Sequence, residues 1–434
     1  MNTVALATLG CKVNQCETAY LEELLEGQGF QILPFTEKVD LYCINTCAVT
    51  GRAAMESRQF IRRAIRRNPK AQVVVLGCYP QVASEEVTAI PGVTQVLGTI
   101  EKLELLNYLP FPEENELPGV HVQDARKAPD AKPLTLFRFA RRTRAFLKIQ
   151  DGCNAFCSYC IVPYARGRSR SVTVASILEQ VQQFLAHGHQ EIVLTGIHLG
   201  HWGADLTPRQ DLDALVGQVL DHCPPPRLRL SSLEPGEITA GLLDLLATSP
   251  RLCPHLHVPL QSGDEDVLRL MNRHYHPNLY RDLVMEATRR VPDLALGADV
   301  LVGFPGENDE SFQTTYRFID SLPIAYLHVF PFSPRPGTPA ATMRDQVSPA
   351  VIRRRCHRLR ELDRIKRLSF MQRYLGKTRP VLVENRLYDQ GDMLCGFSDN
   401  YLPVLVQSDL SLGNRIILAR FHRLHGNRLI ARPI

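Results

Sequence analysis

Short aliphatic and β-branched runs alternate with stretches of helical periodicity along most of this chain. Near the start the runs are Val4–Leu9, Val39–Asn45 and Ala71–Gly77, each closing on turn residues, and helix-like stretches occupy Glu17–Gly27 and Arg52–Arg67. Strand and helix in turn predict a small parallel α/β sheet. Glu113–Pro133 is rich in Pro, Glu, Asp and Lys, has little apolar periodicity and reads as a linker.

A second βα series starts at Ala145, with strands expected at Phe146–Gln150, Glu191–Gly196, Arg227–Ser232, His255–Leu260, Leu294–Gly303 and Ala325–Phe330. Val174–Ala186, Leu212–Leu220, Asp264–Leu270 and Leu279–Arg290 read as helices among them. Six such units predict an incomplete parallel barrel, because eight units take about 250 residues, and its chemistry belongs at the carboxyl ends of the strands. The basic helical run Pro349–Tyr374 leads into short strands with Gly, Asp and Asn turns from Lys377 onward. That texture fits a small β-barrel. The expected class is α/β with an all-β tail: an α/β domain over 1–112, a linker over 113–138, a partial (β/α)6 barrel over 139–370 and a β-barrel over 373–434.

Composition adds compartment and partner. Hydrophobic residues make up 44% and charged residues 22%, a soluble balance. No stretch reaches the roughly 18 apolar residues of a membrane span. The opening MNTVALATLG lacks a basic n-region and a cleavage pattern, so the expected location is cytoplasmic. In a reducing compartment the 12 cysteines point to metal binding or catalysis rather than disulfides. The net charge of +5 is mild, but basic residues cluster at Arg58–Arg67, Arg138–Arg144 and Arg353–Arg367. One such cluster is usually a solvated helix face. Several, with a terminal β-barrel able to bind nucleic acid, shift the expectation toward RNA.

DGCNAFCSYCIVPYARG carries the sharpest signal, a C-x₃-C-x₂-C spacing at Cys153, Cys157 and Cys160 just after the first barrel strand. Three close thiolates can hold three irons of a [4Fe–4S] cube and leave the fourth open to a substrate. The rival is a structural zinc site, which wants a fourth Cys or His at matching spacing. The nearest histidines, His198 and His201, follow a different strand. In the first domain Cys11, Cys47 and Cys78 each follow a strand, and a parallel sheet brings such ends to one edge. Three thiols converging there imply a second cluster with an open iron. Cys43 lies four residues before Cys47, about 13 Å back along an extended strand, and reads as a core cysteine. Cys16 could lie near the cluster without following the strand-end pattern, while Cys223, Cys253, Cys356 and Cys395 read as buried thiols.

C-x₃-C-x₂-C after the first strand of a partial βα barrel resembles the radical S-adenosylmethionine superfamily. The resemblance implies that S-adenosylmethionine binds the open iron and is split by an electron from the cluster, the cofactors supplying the hard chemistry. Tyr159 matches the position whose aromatic ring contacts the adenine of S-adenosylmethionine. Its bland alternative is a tyrosine that only packs.

LGCKVNQCET, INTCAVT, SRQFIRRAIRRNP, GCYPQ, RTRAFLKIQDGCNAFCSYCIVPYARGRSRS, LTGIHLG, HLHVPLQSG, DVLVGFPGE and FPFSPRPGTPAA together resemble the methylthiotransferase family across nearly the whole chain. Within it, the likeness is to the branch acting on N6-threonylcarbamoyladenosine at position 37 of tRNA. Cys16 departs from the family pattern, in which relatives tend to carry a bulky or polar residue. The family implies two [4Fe–4S] clusters and two S-adenosylmethionines, one giving a methyl group and one a radical that takes hydrogen from C2 of adenine. It carries over Thr195, Gly196, Ser232, Glu234, Gln261, Ser262, Asp299 and Gly303 as the S-adenosylmethionine pocket, although each also suits a strand-end turn. The terminal domain resembles a TRAM-type barrel, in which Phe397 and Tyr401 could stack on splayed bases, with Phe397 equally a core residue, and Arg379, Arg386, Arg415, Arg420 and Arg428 could meet phosphates. Arg166, Arg168 and Arg170 are candidates for the threonylcarbamoyl carboxylate or for phosphates, or are surface residues. The implied partners are a tRNA anticodon stem-loop and a reduced flavodoxin- or ferredoxin-like donor, with the chain a monomer. Rival readings are the isopentenyladenosine branch, a methylthiotransferase for a ribosomal-protein aspartate, sulfur insertion without methylation, and a non-catalytic iron–sulfur RNA-binding protein.

Overall fold

Strands covered on both faces become continuous apolar runs, and the first domain shows this in its two central strands. The computed structural model describes residues 3–108, 117–128, 130–136, 139, 143–388, 393–407 and 411–434. By contacts the chain divides into two units, Met1–Leu136 with Lys148–Val172 and Ser333–Thr342, and Phe137–Leu147 with Thr173–Phe332 and Met343–Ile434. These units cut across the three domains expected from composition.

In the first unit the order is β1 (Thr3–Thr8), α1 (Lys12–Gly27), β2 (Gln31–Ile32), β3 (Leu41–Thr46), α2 (Gly51–Arg67), β4 (Gln72–Gly77), α3 (Cys78–Thr88), β5 (Gln95–Leu97) and β6 (Gly119–His121). The strands form one sheet in the order β2-β1-β3-β4-β5-β6, with every neighbouring pair parallel. Every residue of β3 and β4 is buried. Tyr42, Ile44, Val73 and Val75 pack with Ala54, Ile61 and Ala64 of α2. Their alternates Leu41, Cys43, Val74 and Leu76 pack with Leu21 and Leu25 of α1. The sheet thus holds three more strands than the periodicity indicated. β6 lies inside the expected linker, and at three residues an edge strand is too short to leave a periodic signal; 113–116, 129 and 137–138 of that linker fall outside the described residues.

β7 (Arg144–Lys148) opens the barrel series, after which β8 (Gln150–Asp151), α4 (Val162–Arg166) and β9 (Arg170–Ser171) belong to the first unit. The second unit continues through α5 (Val174–Ala186), β10 (Glu191–Thr195), α6 (Leu212–His222), β11 (Arg227–Leu230), α7 (Ala240–Thr248), β12 (His255–His257), α8 (Glu265–Leu270), α9 (Pro277–Arg290), β13 (Ala295–Val302), α10 (Asp309–Ser321) and β14 (Tyr326–Pro331). Side-chain caps start several of these helices: Thr173, Thr239, Asp264 and Asn308 each accept from a backbone N–H two or three residues into the helix. The six barrel strands run β7-β10-β11 and β12-β13-β14, and single bridges Leu228–Leu252 and Ser232–His257 link the halves. The expected six-strand partial barrel is therefore present. After α11 (Pro349–Gln372), β15 (Thr378–Leu387), β16 (Met393–Ser398), β17 (Pro403–Gln407), β18 (Arg415–His425) and β19 (Arg428–Pro433) close into a barrel. Among the described residues no helix is long and apolar enough to cross a membrane.

Candidate functional site

Three strand ends meet at the carboxyl edge of the first sheet. Cys11 caps the start of α1, Cys47 follows the last residue of β3, and Cys78 is the first residue of α3 after β4. Gly10 has φ +102°, and a Cβ there would lie 2.8 Å from Cys47 Cβ and 3.0 Å from its Sγ, so only glycine lets the first turn close over the second. Asn14 ties the ends together, its Nδ2 donating to the carbonyls of Leu9 at 2.7 Å and Thr46 at 3.1 Å. Cys11 is exposed, while Cys47 and Cys78 are buried. Burial, and then the neighbouring Cys78 and Cys11 thiols, push Cys47 up to about 11. Three thiols brought to one edge suit an iron–sulfur cluster of three protein ligands. Cys43 is a core residue, as the strand argument held; burial alone pushes its thiol up to about 12. Cys16 is also buried on α1, and desolvation raises its thiol well above the ordinary range.

A buried charge node stands behind this edge. Glu17 accepts from Lys102 at 2.5 Å and from Arg166 at 3.0 and 3.1 Å, and lies 3.5 Å from Lys148. Arg166 also pairs with Asp151 at 2.9 Å, Lys148 with Asp151 at 3.2 Å, and Arg170 lies 3.8 Å from Asp151. Burial would raise the Glu17 carboxyl, but Arg166, Lys102 and Lys148 outweigh it and hold it at about 2. Four cations thus face two carboxylates, and the positive excess lies where Arg166 interacts with Cys78 and Cys11. Arg166 donates as well to Asn14 Oδ1. The placement corrects the RNA-contact reading of Arg166 and Arg170: both are buried, and Arg170 donates to the Arg166 carbonyl at 2.9 Å. Arg168 alone of the three is half-exposed, paired with Asp130 at 2.7 Å. Sequence reasoning passed over Glu17, Lys102, Lys148 and Asp151, although a lysine inside the apolar run FLKIQ and the aspartate that follows it were a readable sign.

The second triad sits in the same unit. Cys153 N–H donates to the Gly167 carbonyl at 3.0 Å, Cys160 N–H to the Cys157 carbonyl at 2.9 Å, and Ala155 N–H lies 3.4 Å from Cys153 Sγ. Gly152 must be glycine, because at φ +74° a Cβ would stand 1.9 Å from the Arg168 carbonyl oxygen. Gln150 Nε2 braces the loop through the Gly152 carbonyl at 2.8 Å and Ser169 Oγ at 2.9 Å. The Ser158 carbonyl accepts from Ala340 N–H at 2.8 Å, and Tyr159, half-buried, lies between these two anchored cysteines. Backbone ties of this kind pre-form a loop that carries three thiols, the donor set that a site-differentiated [4Fe–4S] cluster needs. His198 and His201 belong to the second unit, where both approach Glu237 Oε1, at 2.5 and 3.5 Å.

In the second unit the carried-over pocket residues fall at or beyond strand ends. Thr195 closes β10 with Gly196 next, Ser232 and Glu234 follow β11, Gln261 and Ser262 follow β12, and Gly303 follows β13. Several have structural partners: Glu234 pairs with Arg273, Ser262 Oγ lies 3.0 Å from Thr315 Oγ1, and Gly303 N–H donates to Glu307 at 3.1 Å. Asp299 lies within β13, bonded to His257 at 2.8 Å and His328 at 3.2 Å. Burial raises its carboxyl, but those two imidazoles outweigh it and hold it well below the carboxylate range. The two histidines come from the neighbouring strands β12 and β14, and this cluster was not singled out from the sequence.

The terminal barrel places the residues expected to meet RNA. Phe397 and Tyr401 stack on each other at 5.0 Å, with Arg144 4.7 Å from the Phe397 ring and Arg229 4.8 Å from the Tyr401 ring. Tyr401 also lies 4.6 Å from His255. Each ring thus has contacts within the protein, and both residues stay partly exposed. Arg379 is likewise engaged, by Asp293 at 2.7 Å and Asp399 at 2.8 Å. An aromatic pair in a loop reads alike whether it faces solvent or a neighbouring strand, so sequence could not separate the two.

Comparison with known proteins places these features. Residues 3–98 match a model described as uncharacterized protein family UPF0004, and residues 147–319 match the radical SAM superfamily. The chain is 40% identical over 425 residues to a Bacillus subtilis protein named threonylcarbamoyladenosine tRNA methylthiotransferase MtaB, covering 96% of this chain and 93% of that one. It is 31% identical over 414 residues to a Zymomonas mobilis protein named tRNA-2-methylthio-N(6)-dimethylallyladenosine synthase, covering 95% and 92%. Among solved structures, the radical S-adenosylmethionine methyltransferase TsrM from Kitasatospora setae, with cobalamin and a [4Fe–4S] cluster bound, superposes with a TM-score of 0.57 at 18% identity, covering 79% and 77%. That last likeness concerns the fold alone.

Proposed function

This chain belongs to the methylthiotransferase family of radical S-adenosylmethionine enzymes, and on that premise we propose that it converts N6-threonylcarbamoyladenosine at position 37 of tRNA to its 2-methylthio derivative. The observation that carries the reading is the pair of three-cysteine sets in one unit, each a donor set for a cluster with an open iron. A radical enzyme that only abstracts hydrogen needs one such set; a second supplies a place for sulfur. The higher identity to the threonylcarbamoyl branch supports the substrate.

When bound, the clusters and two S-adenosylmethionines supply the electron, the radical initiator, the methyl group and the sulfur. The chain's own role is to hold and orient. Cys153, Cys157 and Cys160 bind one cluster, and Cys11, Cys47 and Cys78 the other. Arg166 stays cationic and favours the Cys11 thiolate, while Glu17 and Asp151 fix its position. Tyr159 and the strand-end residues Thr195, Gly196, Ser232, Glu234, Gln261, Ser262, Asp299 and Gly303 orient S-adenosylmethionine. The substrate enters on an anticodon stem-loop, the electron comes from a reduced flavodoxin- or ferredoxin-like protein, and the chain acts as a cytoplasmic monomer.

Mass spectrometry of tRNA nucleosides from cells lacking the gene, with and without its restoration, tests the reading. Methylthio-threonylcarbamoyladenosine appearing only on restoration is the expected result. Methylthio-isopentenyladenosine instead would leave the chemistry standing and move the substrate to the sister branch. No change in any tRNA nucleoside would end the tRNA reading and point to the ribosomal-protein alternative.

A further inference from the structure

Arg335, in the segment SPRPGTP, is 9% exposed, and its Nε is enclosed without a hydrogen-bond partner. Among the described residues its guanidinium makes no ion pair. Its backbone is pinned, the carbonyl accepting from Thr338 N–H at 3.1 Å and Thr338 Oγ1 at 2.8 Å. The side chain runs to the first turn of α2, where a Cβ on Gly51 would lie 3.9 Å from Arg335 Nη1 and 3.1 Å from Ser333 Oγ. Ser333 Oγ in turn accepts from Gly51 N–H at 2.9 Å. Arg335, Ser333, α2 and both cysteine sets belong to the first unit.

This arrangement is unfavourable as it stands. An enclosed guanidinium N–H without a partner is costly, and here the group lies beside the positive end of a 17-residue helix. Two positive potentials directed at one spot make a site for an anion. Gly51, the first residue of α2, lies four residues beyond Cys47. The exposed side of α2 then carries Arg52, Arg62, Arg63 and Arg66, a basic face suited to a ligand with further negative charges along its length.

We propose that Arg335 and the opening turn of α2 seat an oxyanion of the substrate RNA, either the carboxylate of the threonylcarbamoyl group or a backbone phosphate near the modified base. A guanidinium fork binds both kinds of oxygen pair in the same way, so the chemistry is shared and the source is a matter for the test. The inference rests on the tRNA reading above.

The test is fluorescence anisotropy with the cluster-loaded full chain and two anticodon stem-loops, one carrying threonylcarbamoyladenosine at position 37 and one plain adenosine. Arg335→Gln should raise Kd about tenfold, the size of one charge-assisted bond. A loss confined to the modified loop assigns the carboxylate; an equal loss on both loops, with a salt slope reduced by about one, assigns a phosphate. A folded R335Q that binds both loops as the wild type does would overturn the seat. If R335Q fails to fold, Gly51→Glu against Gly51→Gln decides. Glutamate would answer the guanidinium from within, so G51E should melt higher than G51Q and bind RNA more weakly. Equal melting and equal binding would overturn the proposal. Wild-type protein that binds the loops but forms no methylthio product refutes the catalytic reading and leaves the seat standing, whereas wild-type protein that binds neither loop overturns the seat as well.

Discussion

Replacing Glu17 by glutamine removes the carboxylate on which three buried cations converge. Lys102, Arg166 and Lys148 lie 2.5, 3.0 and 3.5 Å from its oxygens, and its side chain is only 1% exposed. Taking one partner from a buried ion network costs about 3–5 kcal/mol, because the remaining charges stay desolvated. Proton linkage gives a similar figure by another route. The folded carboxyl is held at about 2 against an ordinary value of 4.5, a difference of about 3 kcal/mol. For a unit of this size that is roughly a 10 °C fall in Tm. Because the folded value is depressed, the stabilisation is complete above the ordinary carboxyl range and fades as pH falls toward 2. Anaerobic thermal melts of wild type and E17Q across pH 3 to 8 read both effects. E17Q should melt well below wild type at pH 7, with the gap narrowing below about pH 4.5. A variant within about 2 °C of wild type at pH 7, or a gap that ignores pH, would refute the claim that this node holds the cysteine edge together.

Cys157→Ala should abolish S-adenosylmethionine cleavage and product together, whereas Cys47→Ala should keep cleavage and stop sulfur transfer; methylthiolated RNA from the Cys47 variant would remove the second cluster from the scheme. Cys43→Ala should keep its iron and activity and lose about 1 kcal/mol of stability, and lost activity would overturn its assignment to the core. Gly152→Ala, forcing a Cβ to within 1.9 Å of the Arg168 carbonyl, should strip one of the two clusters, read as about half the iron per chain after reconstitution. Burial, opposed by Arg355, pushes the Glu307 carboxyl up to about 6, so its contribution is greatest below the ordinary carboxyl range and is lost as pH rises through 6. Glu307→Gln should therefore flatten about 2 kcal/mol of the pH dependence of stability between 4.5 and 6, which urea unfolding at stepped pH would measure.

Much of this protein is written in local pattern. The C-x₃-C-x₂-C loop, six barrel strands and the all-β tail follow from spacing and periodicity, which neighbouring residues determine without help from distant ones. The convergence of Cys11, Cys47 and Cys78 was also readable, because a parallel sheet obliges successive strand ends to share an edge. What the sequence could not carry is partnership across long separations. Arg166 reads from the sequence as a contact for the threonylcarbamoyl carboxylate or for phosphates, or as a surface residue, whereas in the fold Glu17, 149 positions away, is bonded to it. The contacts of Arg144 and Arg229 with the rings of Phe397 and Tyr401 leave no local trace in the sequence either. The short strands β2, β5 and β6 exist because a neighbouring strand offers hydrogen bonds, not because their own residues insist on them. Burial and charge pairing depend on what packs opposite, and only the folded chain decides that.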